Sequence, residues 1–348
     1  MKKSVLFLTL ALALSLVACG TPKETTPTAD DPATTTKLEK IIFTEPVRGY
    51  FWAPAYLAQT LGYFKEVGLD AEFQTVSGAD ASAPVFAGEA QFGLRGVEMA
   101  MISKEAGQNC KILISTSSRY PYQLVGASAE YNTIESLRGK VVAGGMGASS
   151  SPCAFAKACL TQGGLQPDAD VSVISMGSAG YAAAIRGGEI QGAVATTPWS
   201  LKKLQELGGV VITDGTNEAF MKELLGSADY ELFMIFTSDE YIKSNPDTVQ
   251  KAVTAMTKAI QWMTTASDED IVKNLEPLFE GKSEELLCTV QADRAGNIQN
   301  TTGYHTKDGF QAALKLTKLS GAIKQDVAEA DIYDESFLKN AWTELGHI

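Results

Sequence analysis

Residues 145–152, GMGASSSP, set two glycines and three consecutive serines directly before a proline. Glycine lets the backbone bend close to a bound group. A proline after the serines marks the first turn of a helix, where its missing N–H costs little. A helix start offers unpaired N–H groups and a partial positive charge, and serine hydroxyls add donors. Gly147, Ser149, Ser150 and Ser151 therefore form a candidate receptor for a carboxylate, sulfonate, phosphate or nitrate. Simple N-capping accounts for one serine, Ser151, but not for three with the glycines. No G-K-[ST] follows, so this is not a Walker loop. Residues 48–53, RGYFWA, differ in kind. Tyr50, Phe51 and Trp52 are consecutive, so they cannot all face one core; one or two would line a cleft as stacking surfaces, or else plug it. Arg48 and Arg95 can each meet an anionic group. Glu98, Ser178, Thr196 and Trp199 stand at equivalent strand-to-helix turns and complete the candidate lining.

The elements that position these residues come in two copies. Gly88, Glu89 and Gln91 recur one hundred positions later as Gly188, Glu189 and Gln191. Their surroundings match as well, in the order strand, loop, helix, Gly-Leu, strand, helix, strand. The first unit is expected as strands 40–45, 71–76, 91–95 and 111–117, with helices 54–66, 80–87 and 97–106. The second is expected as strands 140–144, 171–176, 192–196 and 209–213, with helices 152–162, 179–186 and 198–206. One α/β unit built twice leaves a cleft between two lobes. In open α/β sheets a ligand lies beyond the carboxyl ends of the strands. The loops there are 45–53, 77–79 and 95–98 in one lobe and 144–151, 177–179 and 196–199 in the other, with 117–122 beside a first crossing. The fold class is therefore α/β, a two-lobed binding fold with two crossover strands, near 124–128 and 231–237, forming a hinge. After Asn245-Pro246, Val249, Val253, Met256, Ile260 and Met263 keep the spacing of one buried helix face. The remainder, helical with polar breaks, is expected to pack on the first lobe. The boundaries are 38–125 with 235–348 for lobe 1 and 126–234 for lobe 2.

Lys2 and Lys3 precede an apolar run from Val5 to Val17, the length of a signal-peptide core and short of the about 20 residues that span a membrane. The run ends in Leu16-Val17-Ala18-Cys19, which resembles the lipobox of bacterial lipoproteins. That resemblance implies cleavage after residue 18 and a lipid on Cys19. Residues 19–37, rich in Thr, Pro, Asp and Glu, cannot bury a core and read as a disordered tether. The net charge of −12 becomes −14 when both leader lysines are removed. So acidic a chain argues against nucleic acid and against anionic lipid surfaces. Lipid, not charge, would hold it at the membrane. Cys153 and Cys159 lie about 9 Å apart along one helix, too far to pair. Cys110 with Cys288 is a pairing the sequence allows but does not support, and buried free thiols suit all four better. The two histidines are isolated, so neither zinc nor another metal site is expected.

FWAPAYLAQTLGYFKEVGLDAEF, GEAQFGLRGVEMA, ESLRGKVVAGGMGASS and AAAIRGGEIQGAVATTPW resemble the NMT1/THI5-like substrate-binding proteins of ABC importers. The likeness runs over roughly 40–265. It implies a two-lobed periplasmic-binding fold, an extracytoplasmic and lipid-anchored location, and a permease with its ATPase as partner. It also implies a solute of the nitrate, sulfonate or thiamine-pyrimidine-precursor class, with no cofactor, and a monomer. Two features depart from the family. Arg95 stands in a G-L-x-G turn that more often holds a neutral residue, which signals an anionic ligand or an internal salt bridge. The eukaryotic pyrimidine synthases of the family use a cysteine-rich motif with a reactive histidine and lysine. Here serines occupy that loop and no histidine precedes His305. A non-enzymatic receptor is thus expected. The alternatives are a pyrimidine-synthase-like enzyme and a sensory lipoprotein on the same fold.

Overall fold

The computed structural model describes residues 37–76, 81–145, 147 and 150–346. Among the described residues ten strands form two sheets. β1 (Glu39–Glu45), β2 (Leu69–Thr75), β3 (Phe92–Gly96) and β4 (Cys110–Ser115) belong to the first unit. β5 (Gln123–Gly126), β6 (Val141–Ala143), β7 (Ser172–Ile174), β8 (Gly192–Ala195) and β9 (Val210–Asp214) follow, and β10 (Phe233–Ser238) returns. One sheet runs β2-β1-β3-β10-β4 and the other β7-β6-β8-β5-β9. In each, the first three strands are parallel and one antiparallel strand is inserted beside them, β10 or β5. Both inserted strands carry a register shift at mid-strand, at Ile235/Phe236 and Leu124/Val125. The two sheets are copies down to this irregularity.

The repeated G-E-x-Q has a structural explanation. Gly88 and Gly188 hold φ of 75° and 70°, the left-handed region that glycine enters without strain. The turn each makes carries a glutamine back to the first strand of its own sheet. Gln91 Oε1 accepts from Ile42 N–H at 2.8 Å, and Gln191 Oε1 accepts from Val141 N–H at 3.1 Å. The backbone N–H of each glutamine donates to the carbonyl of the same strand residue. The motif pins two β-α-β units rather than touching a solute.

Sheet membership corrects the lobe boundaries. Gln123, Leu124 and Val125 pair with β8 and β9, so they belong to the second lobe and not, as the boundary at 125 requires, to the first. Phe233 and Met234 pair with β3 in the first. The segments expected as crossings are sheet strands, and the chain changes lobes within 116–122 and 215–232. The expected helix 54–66 is two helices, Ala53–Thr60 and Tyr63–Glu66, because Gly62 turns left-handed between them with φ of 83°. The C-terminal helices also reach further than expected. Lys307–Leu319 packs on Ser151–Gln162, and Ser283–Gly296 packs on Pro198–Glu206, so both touch the second lobe as well as the first. One apolar cluster accordingly runs from the first sheet through the crossings to Phe155, with a smaller one under β5, β6 and β8.

Candidate functional site

The carboxyl ends of β3 and β6 each feed a helix, Val97–Glu105 and Ser151–Gln162, and these two helix starts meet. Glu98, 1 % exposed, is the point of contact. Its carboxylate accepts a hydrogen bond from Ser151 Oγ at 2.6 Å, across the lobes, and from Tyr230 OH at 2.8 Å, out of the second crossing. Tyr120, in the first crossing, donates to the Ser151 carbonyl at 3.2 Å. Both lobes and the second crossing therefore converge on one carboxylate, and the first crossing holds the serine that reaches it. Burial raises the Glu98 pKa above the ordinary carboxylate value, opposed by the Ser151 and Tyr230 hydroxyls and by the nearby Arg95 guanidinium. Gly96 permits the approach: a Cβ there would overlap the Ser151 hydroxyl.

Aromatic rings back this contact. Phe51 stacks on Phe233 with centroids 4.4 Å apart and an interplanar angle of 4°. Trp52 meets Phe233 edge-on at 5.3 Å and gives its indole N–H to the Arg95 carbonyl at 3.4 Å. Tyr120 stacks on Phe155 at 4.9 Å and stands edge-on to Tyr230 at 4.5 Å. Tyr50 OH donates to Asp293 Oδ2 at 3.0 Å, and burial pushes the Asp293 carboxyl up to about 7. Tyr50, Phe51 and Trp52 are 6 %, 9 % and 4 % exposed. The expectation of one or two rings standing open in the cleft is thereby corrected in this conformation: all three are packed, and they form the wall behind Glu98.

The arginines divide in the same way. Arg48 turns inward to the buried Glu45, with Nη2 2.9 Å from Oε1, and Nη1 donates to the Leu278 carbonyl at 3.3 Å. Glu45 also accepts from Thr75 Oγ1 at 2.8 Å and from Tyr56 OH. The Arg48 charge is thus met by partners within its own lobe. Arg95 is buried beside Glu98. Arg119 pairs with Glu218 and Asp229.

On the second lobe, Gly147 is exposed, with φ of 94°, and its N–H donates to Ser175 Oγ at 2.6 Å. Ser150 is the N-cap residue of its helix yet makes no side-chain cap; its hydroxyl donates to the Gly144 carbonyl at 3.3 Å. Ser151 is already helical and spends its hydroxyl on Glu98, so the capping role expected of it is corrected. Ser178 is exposed on the turn after β7. Thr196 is half-buried, its N–H bonded to Ser200 Oγ at 3.0 Å. Trp199 is half-buried, with the ammonium groups of Lys202 and Lys203 each 4.9 Å from its ring centroid, a cation–π arrangement. Ser149 and Cys19 lie outside the described residues.

Beside Glu98 opens a cavity of about 100 Å³, lined also by Ile102, Ala154, Lys157 and the turn 320–322. Solute pockets run to about 300–1,000 Å³. This cavity is smaller than that range. Among the described residues no cluster of His, Cys, Asp and Glu can hold a metal, and Cys110, Cys153, Cys159 and Cys288 are free thiols. Burial raises the thiol pKa of Cys110 and Cys159 to about 12, which makes them unreactive. Sequence inspection missed Tyr122, Phe155, Tyr230 and Phe233. For Tyr122 and Tyr230 the available signal was the aromatic content of the two crossings, 116–122 and 215–232; Phe155 and Phe233 lie in a helix and a strand beyond them.

Two mixed sheets of this order, joined by two crossings with their carboxyl ends face to face, define a two-lobed periplasmic-binding fold. The chain belongs to the NMT1/THI5-like family, whose sequence model matches residues 51–269. It is 25 % identical over 258 residues to a Bacillus subtilis (strain 168) protein named "Putative binding protein YtlA", covering 72 % of this chain and 74 % of that one. A protein of Bordetella bronchiseptica RB50 shares the fold with a TM-score of 0.75 and 22 % identity, over 89 % of this chain and 98 % of that one. The periplasmic nitrate-binding protein NrtA of Synechocystis PCC 6803 does so with a TM-score of 0.65 and 15 % identity, over 89 % of both chains. The desulfurization enzyme DSZB is similar as well, with a TM-score of 0.60 and 15 % identity, over 88 % of this chain and 99 % of that one. The fold alone therefore does not separate binding from catalysis.

Proposed function

We propose that this chain is the extracytoplasmic solute-binding component of an ABC importer. It captures a small anionic or heteroaromatic solute, of the sulfonate, nitrate or thiamine-pyrimidine-precursor class, by closing its lobes. One observation carries the reading: Ser151 of one lobe and Glu98 of the other bond directly at the mouth of both sheets. A contact made by two helix starts, beside two chain crossings and the C-terminal helices that touch both lobes, is one that a hinge motion can open and remake around a guest. The relatives named as binding proteins support the same class. Catalysis finds no support in the cleft, where the described residues include no histidine; His305 lies elsewhere, paired with Glu335.

The solute is delivered to a permease and its ATPase. The chain acts as a monomer held at the membrane by lipid on Cys19. The leader residues and the polar stretch after them support that anchoring. Among the described residues no helix is long and apolar enough to cross a membrane. The test is a thermal-shift panel of sulfonates, nitrate and nitrogen heterocycles, since a ligand of the folded state raises its stability by RT ln(1 + [L]/Kd). A shift with one class, accompanied by a change in the radius of gyration, supports solute capture. No shift across a wide panel of both classes overturns it. Cys19→Ala should release the protein from the membrane fraction or leave it uncleaved, and unchanged membrane attachment would refute the lipid anchor.

A further inference from the structure

A buried carboxylate ties the second crossing to a helix that bridges the lobes. Glu231, near the end of that crossing, is 1 % exposed. Its Oε1 accepts from the Thr306 N–H at 3.0 Å and from Thr306 Oγ1 at 3.3 Å. Thr306 is the N-cap of the helix Lys307–Leu319, and its hydroxyl accepts in turn from the Gly309 N–H at 3.0 Å. Gly309 makes room for the carboxylate, since a Cβ there would stand 2.8 Å from Glu231 Oε1. The helix packs on Val97–Glu105 of the first lobe, on Ser151–Gln162 of the second and on Glu218–Leu225 within the second crossing. Through Glu218–Leu225 and Glu231 the crossing is fastened to this helix at two places.

The surroundings make this tie depend on protons. Glu231 Oε2 is buried and, among the described residues, accepts no hydrogen bond. Ionised Glu231 leaves that oxygen bare of donors, which is costly. Burial raises the carboxyl to about 7 from an ordinary 4.5, against the Thr306 hydrogen bonds and the His305 charge. His305 lies between two more carboxylates, with Nδ1 2.7 Å from Glu335 Oε1 and Nε2 3.7 Å from Glu329 Oε1, and its ring stacks on Tyr333 at 3.8 Å. Burial works against the imidazolium, but Glu335, Glu329 and Glu231 outweigh it and raise the pKa above the ordinary 6.5. Asp229, 3.2 Å from Arg119 of the first crossing, adds to the rise at Glu231. Burial and the Glu231 charge keep Tyr333 protonated, and Tyr304 faces Glu335. Both protons are therefore held more tightly in the joined state than in water. The stability due to Glu231 is complete below about 4.5 and is lost as pH rises through about 7. That due to His305 is complete below 6.5 and is lost as pH rises through its raised value.

We propose that Glu231, Thr306 and His305 form a proton-sensitive joint of the hinge: protonated, it moves the second crossing and the bridging helix as one, and deprotonated, it releases the helix start so that the lobes part more readily. Release wets the Glu231 carboxylate, which supplies the donors that the closed joint lacks. The device is independent of the solute's identity.

Amide hydrogen exchange of the full-length protein without solute tests it, followed from about pH 5 to 8 and corrected for intrinsic exchange rates. Protection of 304–312 and of both crossings, 116–122 and 226–232, should fall together by at least about tenfold over that range. The radius of gyration from scattering should rise over the same range with the far-UV circular dichroism unchanged. Glu231→Gln keeps an acceptor for Thr306 and does not titrate, and its melting temperature at about pH 5 is the folding control. In it the fall should shrink by at least about fivefold. In the wild type the Thr306 amide shift, which reads the carboxylate it bonds, should titrate with the same midpoint as the loss of protection. That comparison needs no variant. Flat wild-type protection overturns the joint, as does a Thr306 midpoint apart from that of the protection. A fall confined to 304–312, or one with an unchanged radius of gyration, is fraying of a helix end and overturns it too. A fall of equal size in Glu231→Gln belongs to another group, such as Asp293, and has the same consequence.

Discussion

Trp52 shows how far residue type and residue role can separate. In the sequence it is the third of three aromatic residues at a strand end, where a stacking surface for a solute is expected. In the fold its ring is edge-on to Phe233 and its indole N–H is bonded to the Arg95 carbonyl. A buried tryptophan truncated to alanine loses about 3–5 kcal/mol. Trp52→Ala should lose that much in urea denaturation without ligand. A loss below about 1 kcal/mol with affinity abolished would return the ring to the open cleft. Asp293 makes a second residue-scale prediction. Burial holds its carboxyl at about 7, above its value in the unfolded chain, so the folded state binds the proton more tightly. The stability from that proton is complete below the unfolded pKa and is lost as pH rises through about 7. Asp293→Asn stays neutral throughout. Between pH 5 and 8 the wild type should therefore lose on the order of 2 kcal/mol more stability than the variant. Parallel pH profiles would show that Asp293 does not titrate with folding. Glu231, also raised by burial to about 7, contributes equally to both proteins and cancels.

Among the elements, the helix Pro198–Glu206 follows from local sequence alone. Thr197 accepts from the Ser200 N–H at 3.1 Å, and Ser200 Oγ accepts from the Thr197 N–H at 3.0 Å, a closed capping box. Thr197→Ala should cost about 1 kcal/mol. Ser150→Ala, at a cap position without a side-chain cap, should cost less than about 0.5 kcal/mol. Equal costs, measured by denaturant melts, would contradict the different capping of the two helices. The same contrast shows what the sequence made legible. The helix Pro246–Met263 announced itself through one apolar face, and the doubled G-E-x-Q announced two copies of a sheet. The helix face is a local pattern, and the repeat is two local patterns that match one hundred positions apart. The bond between Glu98 and Ser151 joins residues 53 positions apart and depends on how two lobes meet, which no local pattern encodes. The pairing of Arg48 is hidden for a related reason. Its partner Glu45 is three residues away, but sequence alone does not show that Glu45 is fully buried and must be paired.

At the scale of the molecule, the two lobes are joined by chain at 116–122 and 215–232 and bridged by C-terminal helices that touch both. The closed contact at their mouth can be captured covalently. A Cβ built on Gly96 lies 3.3 Å from Ser151 Cβ, a few tenths of an ångström under the ~3.5–4.5 Å of disulfides. The Gly96 φ of −84° is one that any residue adopts. Gly96→Cys with Ser151→Cys should therefore cross-link the lobes under mild oxidation. The native thiols compete little, since Cys110, Cys153 and Cys159 are buried, and peptide mapping by mass spectrometry identifies the bond. Cross-linked protein should bind no solute, because the cavity left beside Glu98 is about 100 Å³, and reduction should restore binding. Scattering curves should then respond to a bound solute only in the reduced form. If the oxidised variant forms no 96–151 bond while each single variant folds, the lobes do not visit this contact in solution. If the bond forms and solute still binds, the cleft lies elsewhere than between Glu98 and Ser151. Either outcome would detach the hinge from the site, and the position of Glu98 would then be a matter of packing alone.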